Sequence, residues 1–333
     1  MRNDEGKKLS LSASAEIKDL LGLGDIGKTL LAAIERGVGK LLGPMQRRRE
    51  NQVEIAAAYQ WQKFAEDAGL SLKTAAVDLG ERTSVRLIAE QTGIQANREA
   101  IAAEALQDVK LLVHEGRATD TSARQPDTEW LDRYWRLAGE ISRSDFQALW
   151  GRVLARKITG TADIGARTLD FVSTLSRSEA RLIERLAACV CYVQDPEDWA
   201  FIHSLPNGFP KNTPNEVINN KLAMMTVDLR DPNLGSLGIY HEEGFAHSTY
   251  IKIVDGKARI SIAGKQFEIS SSSGKWPGDY EGYCHLGSGH GVSQLGRELL
   301  ALIDVQPNNE YLEVLVAGLV NLGLRLDPAT QTI

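Results

Sequence analysis

Between Asp25 and Val193 the apolar residues of this chain recur every three to four positions, and after Asp195 that rhythm gives way to short alternating runs. A period near 3.6 places side chains on one face of a helix, whereas a period of two places them on one face of a strand. The chain therefore reads as mainly α with a C-terminal α+β domain. A helical N-terminal two thirds leads into a small antiparallel sheet with flanking helices at the C-terminus.

The helical part divides at its punctuation. Residues 1–24 are polar and read as a flexible tail. Residues 25–116 read as an N-terminal helical region. In its first helix Ile26, Leu30, Ile34, Val38, Leu41 and Leu42 share one arc, and Lys28, Glu35, Arg36 and Lys40 lie outside it. Pro44 ends or kinks that helix. A basic step, Arg47, Arg48 and Arg49, then opens a run of good helix formers that closes at Gly69. A further helix is expected over 84–115, with Ile94, Ile101, Ala105 and Leu112 on its apolar face and Asp108 interrupting one seam. The polar stretch 117–126, ending in Pro126, reads as a linker.

Residues 127–194 read as a central helical domain marked by a repeated start signal. The stretches "ISRSDF" and "LSRSEA" each place a serine before a helix and an acid three residues later. Ser142 with Asp145, and Ser176 with Glu179, fit the pattern in which a hydroxyl and a carboxylate satisfy the free amides of a first turn. Ile141 and Phe146 occupy the positions of a hydrophobic staple around the first cap. The second helix is expected to carry Ile183, Leu186, Val190 and Val193 inward, with Cys189 and Cys191 as packing residues.

Residues 195–333 read as the α+β domain. A proline-bearing loop over 195–215 precedes a short helix at 216–229. Strands are expected at 236–240, 247–254, 258–262 and 265–270. Asp255–Gly256 and Ala263–Gly264 form hairpin turns, the first with the sequence favoured by type I′. A long irregular loop over 270–291 and two closing helices complete the chain.

The function classes narrow by chemistry. A net charge of −6 argues against a surface built to coat nucleic acid. Three cysteines without regular spacing fit a reducing compartment, so the cytoplasm is the expected location. "GLGDIGKT" matches the spacing of a phosphate loop at Gly22, Gly27, Lys28 and Thr29, but the residues before it read as helix and no βαβ pattern surrounds it. Cys284, His285 and His290, with His241 and His247 nearby, lack the paired spacing of a zinc site. No catalytic residue, cofactor or metal is assigned. Two candidate contact sets remain. The arc Ile26, Leu30, Ile34, Val38, Leu41 and Leu42 suits a partner or a lipid surface. Arg47, Arg48 and Arg49 suit an anionic partner.

Two segments carry a family resemblance. "LLAAIERGVGKLLGPMQRRRENQVEI" and "WLDRYWRLAGEISRSDFQALWGRVLARKITGTADIGARTLDFVSTLSRSEARLIERL" resemble the bacterial domain-of-unknown-function family usually numbered 2806. The resemblance is carried by Pro44 with Arg48 and Arg49, by the helix Trp150–Ala155, by Arg167–Thr168–Leu169 and by Leu175–Ala180. The C-terminal "VSQLGRELLALIDVQPNNEYLEVLVAGLV" is similar to the family's close, with Val292–Ser293 where Leu–Thr is usual. The resemblance implies no known reaction. Related helical families are associated with abortive-infection defence against phage, which implies an effector role.

The expectation is a non-enzymatic interaction or effector protein, with a protein partner or a homo-oligomer as its assembly. A membrane-active effector using 26–42, peripheral at the inner membrane, is one alternative. A nucleotide-binding enzyme or switch at Gly22–Thr29 is another. Nucleic acid is disfavoured as a partner.

Overall fold

A computed structural model describes residues 22–39, 79–194, 197–205, 215–225, 237–240, 247–277 and 281–329. The chain is mixed α+β and forms two compact units that divide between Ser173 and Thr174.

The first unit is helical: α1 Gly24–Val38, α2 Leu79–His114, a single 3₁₀ turn Asp120–Ser122, α3 Thr128–Ala138, α4 Ser144–Thr159 and α5 Ala166–Thr174. Its 36-residue α2 is about 54 Å long at 1.5 Å per residue. Helix α4 crosses α2 so closely that Gly151 has no room for a side chain. A Cβ there would lie 2.5 Å from Glu104 Cβ and 2.8 Å from the Ala105 amide nitrogen. The core is aromatic. Tyr134 stacks on Trp130 with ring centres 5.3 Å apart, meets Trp135 edge-on and touches Trp150. The buried polar atoms of three of these rings are satisfied by carbonyls: Tyr134 donates to Trp150 O, Trp130 to Ile164 O and Trp135 to Ala33 O.

The polar stretch after α2 is an ordered connection inside this unit, since Arg124 N–H donates to Ile158 O and Ala118 is buried. Helix α4 starts one residue later than the serine signal predicts. Arg143 stands at its N-cap with extended backbone and no side-chain cap. The Asp145 carboxylate pairs with the Arg143 guanidinium at 2.7 Å.

The second unit opens with α6 Arg177–Ala187, where the serine signal holds in full. Ser176 Oγ accepts from the Glu179 amide, and Glu179 accepts from the Ser176 amide. Then follow β1 Val190–Gln194, β2 Glu197–Ser204, α7 Asn215–Met225, β3 His247–Lys252, β4 Lys257–Ile262, β5 Lys265–Ser271, β6 Tyr283–Gly291, α8 Gln294–Leu300, α9 Asn309–Asn321 and β7 Leu324–Pro328. All strand pairs are antiparallel, in the order β3-β6-β2-β1-β4-β5-β7.

Four expectations are corrected here. Val190–Gln194, read as helix, is a central strand. The residues after Asp195, read as loop, supply β2. The stretch read as a long irregular loop supplies β6, and Leu237–Tyr240 is a turn that ends in one bridge to Val292. With β7 added, the sheet has seven strands.

Chain connectivity bends this sheet. Lys252 and Lys257 end β3 and begin β4, so at most about 17 Å of extended chain joins them. Val254 and Lys257 exchange both backbone hydrogen bonds, which draws them closer still. Strands β3 and β4 stand first and fifth in the sheet, about 19 Å apart if it were flat. The first five strands must therefore curl. Asp255, Gly256, Ala263 and Gly264 are all at positive φ; the first hairpin turn takes the form its Asp–Gly pair favours, and the second holds Ala263 there against its own preference.

Helices α7 and α9 cover one face. Cys191, Val193, Ile202, Ile251, Ile260, Ile262 and Leu286 meet Ile218, Leu222, Tyr311, Leu315 and Leu319 in a single core. Gly318 lets α9 approach Leu205, just after β2, and α7: a Cβ there would lie 2.0 Å from Leu205 Cδ1 and 3.1 Å from Ile218 Cγ2.

Candidate functional site

The glycine-flanked start of α1 holds an anion of the chain's own. Helix α1 begins at Gly24 after a turn at Gly22 and Leu23, and its first amides point at Asp120. Asp25 N–H and Ile26 N–H both donate to Asp120 Oδ1, the second at 3.2 Å. A carboxylate is what the positive end of a helix attracts, and this one occupies the place where a phosphate loop would hold phosphate. Lys28 turns to Asp25 at 2.8 Å, and that contact raises its pKa. Gly22, Gly27, Lys28 and Thr29 thus begin a docked helix.

The apolar arc of α1 is spent inward. Ile26, Leu30 and Ile34 are 1%, 0% and 3% exposed, and Val38 is half-buried. Ile26, Leu30 and Ile34 of the candidate membrane or partner face thus pack within the helical unit. Gly37 lies under the Trp135 indole, where a Cβ would come within 2.0 Å of the ring. Polar side chains of α2 close the far end: Gln95 donates to Val38 O, and Arg98 donates to Gly37 O and Trp135 O. Leu41, Leu42, Pro44, Arg47, Arg48 and Arg49 lie outside the described residues, as does His241.

The histidine and cysteine stretch is a strand, so its neighbours alternate between faces. Cys284 points into the core, buried, and its thiol donates to Pro277 O. His285 turns the other way and packs on Tyr250 with ring centres 5.1 Å apart. His290 packs on Tyr240. Among the described residues no three potential ligands gather as a metal would need. Cys189 and Cys191 are also buried, and burial pushes both thiols up to about 12. Cys191 Sγ lies 3.6 Å from the Tyr311 hydroxyl, which itself donates to Ile202 O.

Asp108, which interrupts the seam in the sequence, has a partner in Arg156 of α4. The two approach to 3.8 Å, at 11% and 3% side-chain exposure. This is a buried ion pair that ties the two closest helices of the first unit together.

The sequence signals missed one feature of the second unit. Beside the Asp255–Gly256 turn a cavity of about 650 Å³ is lined by Gln194, Lys252, Val254, Asp255, Lys257, Arg259 and Glu268. Lys257 bonds to Glu268 at 2.6 Å. Arg259 stands directly across from Glu268 in the β4–β5 register, exposed. Its charged lining residues carry both signs. Only the hairpin turn was legible beforehand, because the lining comes from four strands whose pairing is not local.

Residues 81–316 match a family described as a protein of unknown function, DUF2806. No curated protein and no solved structure matches the chain.

Proposed function

The chain belongs to the DUF2806 family, and from that premise we propose that it is a non-enzymatic interaction protein, acting as a cytoplasmic effector in bacterial anti-phage defence. One observation carries the reading: the side chains that chemistry would recruit serve the chain's own fold. Asp120 caps α1, Lys28 pairs with Asp25, Cys191 meets Tyr311, and Arg156 faces Asp108. Contact surface is available in addition. Val85, Leu87 and Ile88 of α2 are 46%, 47% and 41% exposed. In this reading the helical unit supplies assembly surface, and the polar sheet of the second unit recognises a partner.

The alternatives draw less support. A lipid-binding role for α1 would require Ile26, Leu30 and Ile34 to leave the helical core. A nucleotide at Gly22–Thr29 would have to displace Asp120.

Phage plating tests the proposal. Cells carrying the wild-type chain are expected to restrict plaque formation, and the variant Leu87→Glu with Ile88→Glu is expected to lose protection while melting at the wild-type temperature. Equal plating with and without the wild-type chain sinks the defence role. A turnover of nucleotide, nucleic acid or peptide that one substitution abolishes sinks the non-enzymatic one.

A further inference from the structure

Among the described residues the last strand of the sheet is an edge, and it has an unusual charge order. Strand β7, "LRLDP", pairs there with β5 alone. The ladder shows which of its backbone groups are used. Ser272 N–H donates to Gly323 O, and Ala329 N–H donates to Gln266 O. Hydrogen-bonded positions alternate along an antiparallel pair, so Arg325 and Asp327 direct their backbone groups to β5. Leu324, Leu326 and Pro328 direct theirs away from it. Proline falls at a position whose missing N–H costs the β5 ladder nothing, as an edge strand requires.

The side chains leave a charge unanswered. Asp327 stands directly opposite Glu268 in the β5–β7 register, and Arg325 opposite Ser270. Like charges directly across a ladder are destabilising. Glu268 has Lys257, but Asp327 and Arg325 are exposed and have no ion-pair partner among the described residues.

We propose that two copies of this chain join β7 to β7 across a two-fold axis, so that one sheet continues through both. The order Arg325–Leu326–Asp327 is complementary to its own reverse. With Leu326 opposite the partner's Leu326, Arg325 stands opposite the partner's Asp327, and Asp327 opposite the partner's Arg325. These fall at non-hydrogen-bonded positions, where cross-strand side chains lie closest. The two Leu326 residues exchange two backbone bonds. Each Leu324 N–H donates to the partner's Pro328 carbonyl, giving about four bonds in all by the antiparallel pattern. Proline ends the ladder there and limits the contact to this short segment, which sets a register and excludes slippage. Asp327 gains the cation it lacks, on the side away from Glu268. A self-matching surface of this kind is what a two-fold interface needs. The inference stands on β7 and does not depend on the defence reading.

Light scattering coupled to size exclusion, on the full chain, tests it without reference to phage. The wild type is expected at twice the chain mass. Arg325→Asp places acid against acid at both symmetry-related positions and is expected to weaken the dimer about tenfold. Adding Asp327→Arg restores complementarity and is expected to return the dissociation constant to within about threefold of wild type. Leu326→Pro removes an N–H that points away from β5, so it should give a monomer with an intact β5–β7 ladder. If that variant does not fold, the charge-reversal pair still decides. A wild-type chain that stays monomeric at the highest soluble concentration overturns the proposal. So does a dimer indifferent to Arg325→Asp, or one that the second reversal fails to restore.

Discussion

Replacing Gly151 with alanine isolates the contact that joins α2 to α4. The added Cβ would lie 2.5 Å from Glu104 Cβ, 2.8 Å from Ala105 N and 2.9 Å from Glu104 C. Carbon atoms rest at about 3.5–4.0 Å, so the helices must part by about 1 Å. Two of the three atoms struck are backbone, and no rotamer change relieves them. Overpacking of this kind costs about 1–3 kcal/mol. A fixed-backbone clash belongs near the top of that range, and the better helix propensity of alanine offsets about 1 kcal/mol. The expected net loss is therefore about 2 kcal/mol, or about 4–8 °C in the melting temperature of a unit this size. Gly93 supplies the control. It is an exposed glycine of α2 with nothing within 4 Å of its Cβ position. Gly93→Ala should stabilise by about 0.5–1 kcal/mol. Tryptophan fluorescence during thermal melting reads both, since Trp130, Trp135 and Trp150 lie in the core of this unit. A Gly151→Ala chain that melts at or above wild type would refute the close crossing, and a destabilised Gly93→Ala chain would refute the exposure of that helix face.

Three further outcomes follow from the same packing. Asp108→Ala leaves Arg156 in an interior without its described carboxylate and should cost about 3–5 kcal/mol in urea titration, whereas Asp108→Leu with Arg156→Met should recover most of it. Because burial holds Cys189 and Cys191 at about 12, with Cys284 buried as well, none of the three thiols should react with a thiol-specific disulfide reagent at neutral pH until denaturant is added. The Glu179 carboxyl is held below its ordinary value by the Ser176 hydroxyl and the Ser176 amide. Its folded value lies below its unfolded one, so its contribution is whole above the ordinary carboxylate range and fades as pH falls through the lowered value. Ser176→Ala should accordingly cost about 1 kcal/mol at neutral pH, and the gap in melting temperature between variant and wild type should narrow as pH falls below the ordinary carboxylate range.

The helices were largely legible because their signals are local. The arc of α1, the Ser176 cap, the turn residues Asp255 and Gly256, and the glycine closing α4 each act within one turn of chain. Gly160 ends that helix in the left-handed region, where glycine carries no Cβ penalty. What the arc of α1 faces was not legible. An apolar stripe of that width serves lipid, a partner or a core equally well. Trp135, about a hundred residues away in sequence, decides the matter by donating to Ala33 O. Asp108 teaches the same lesson with the opposite sign: a flaw in the seam of α2 becomes a tie once Arg156 stands opposite.

The strands were lost where their local signature was overridden by non-local demands. Strand β2 is buried on both faces, with Ala200, Phe201 and Ile202 all fully covered, so its sequence shows no alternation to read. In β1, Val190, Cys191, Tyr192 and Val193 follow a strong amphipathic helix without a break, and only their β-branched and aromatic character distinguishes them from its continuation. Strand β6 is the sharpest case. Its glycines suggested a loop, yet a Cβ at Gly289 would sit 1.8 Å from Phe201 O and one at Gly287 would sit 2.6 Å from Ser204 O. These glycines let β6 approach the backbone of β2 where the register shifts between Ile202 and Ser204. The residue type that argues against a strand in isolation is thus the one this pairing requires. The same reasoning applies at the far edge, where Asp327 opposite Glu268 looks like a local fault. In the proposed dimer a cation reaches Asp327 from outside the ladder. The only arginine in β7 stands two residues away, where a two-fold would deliver it.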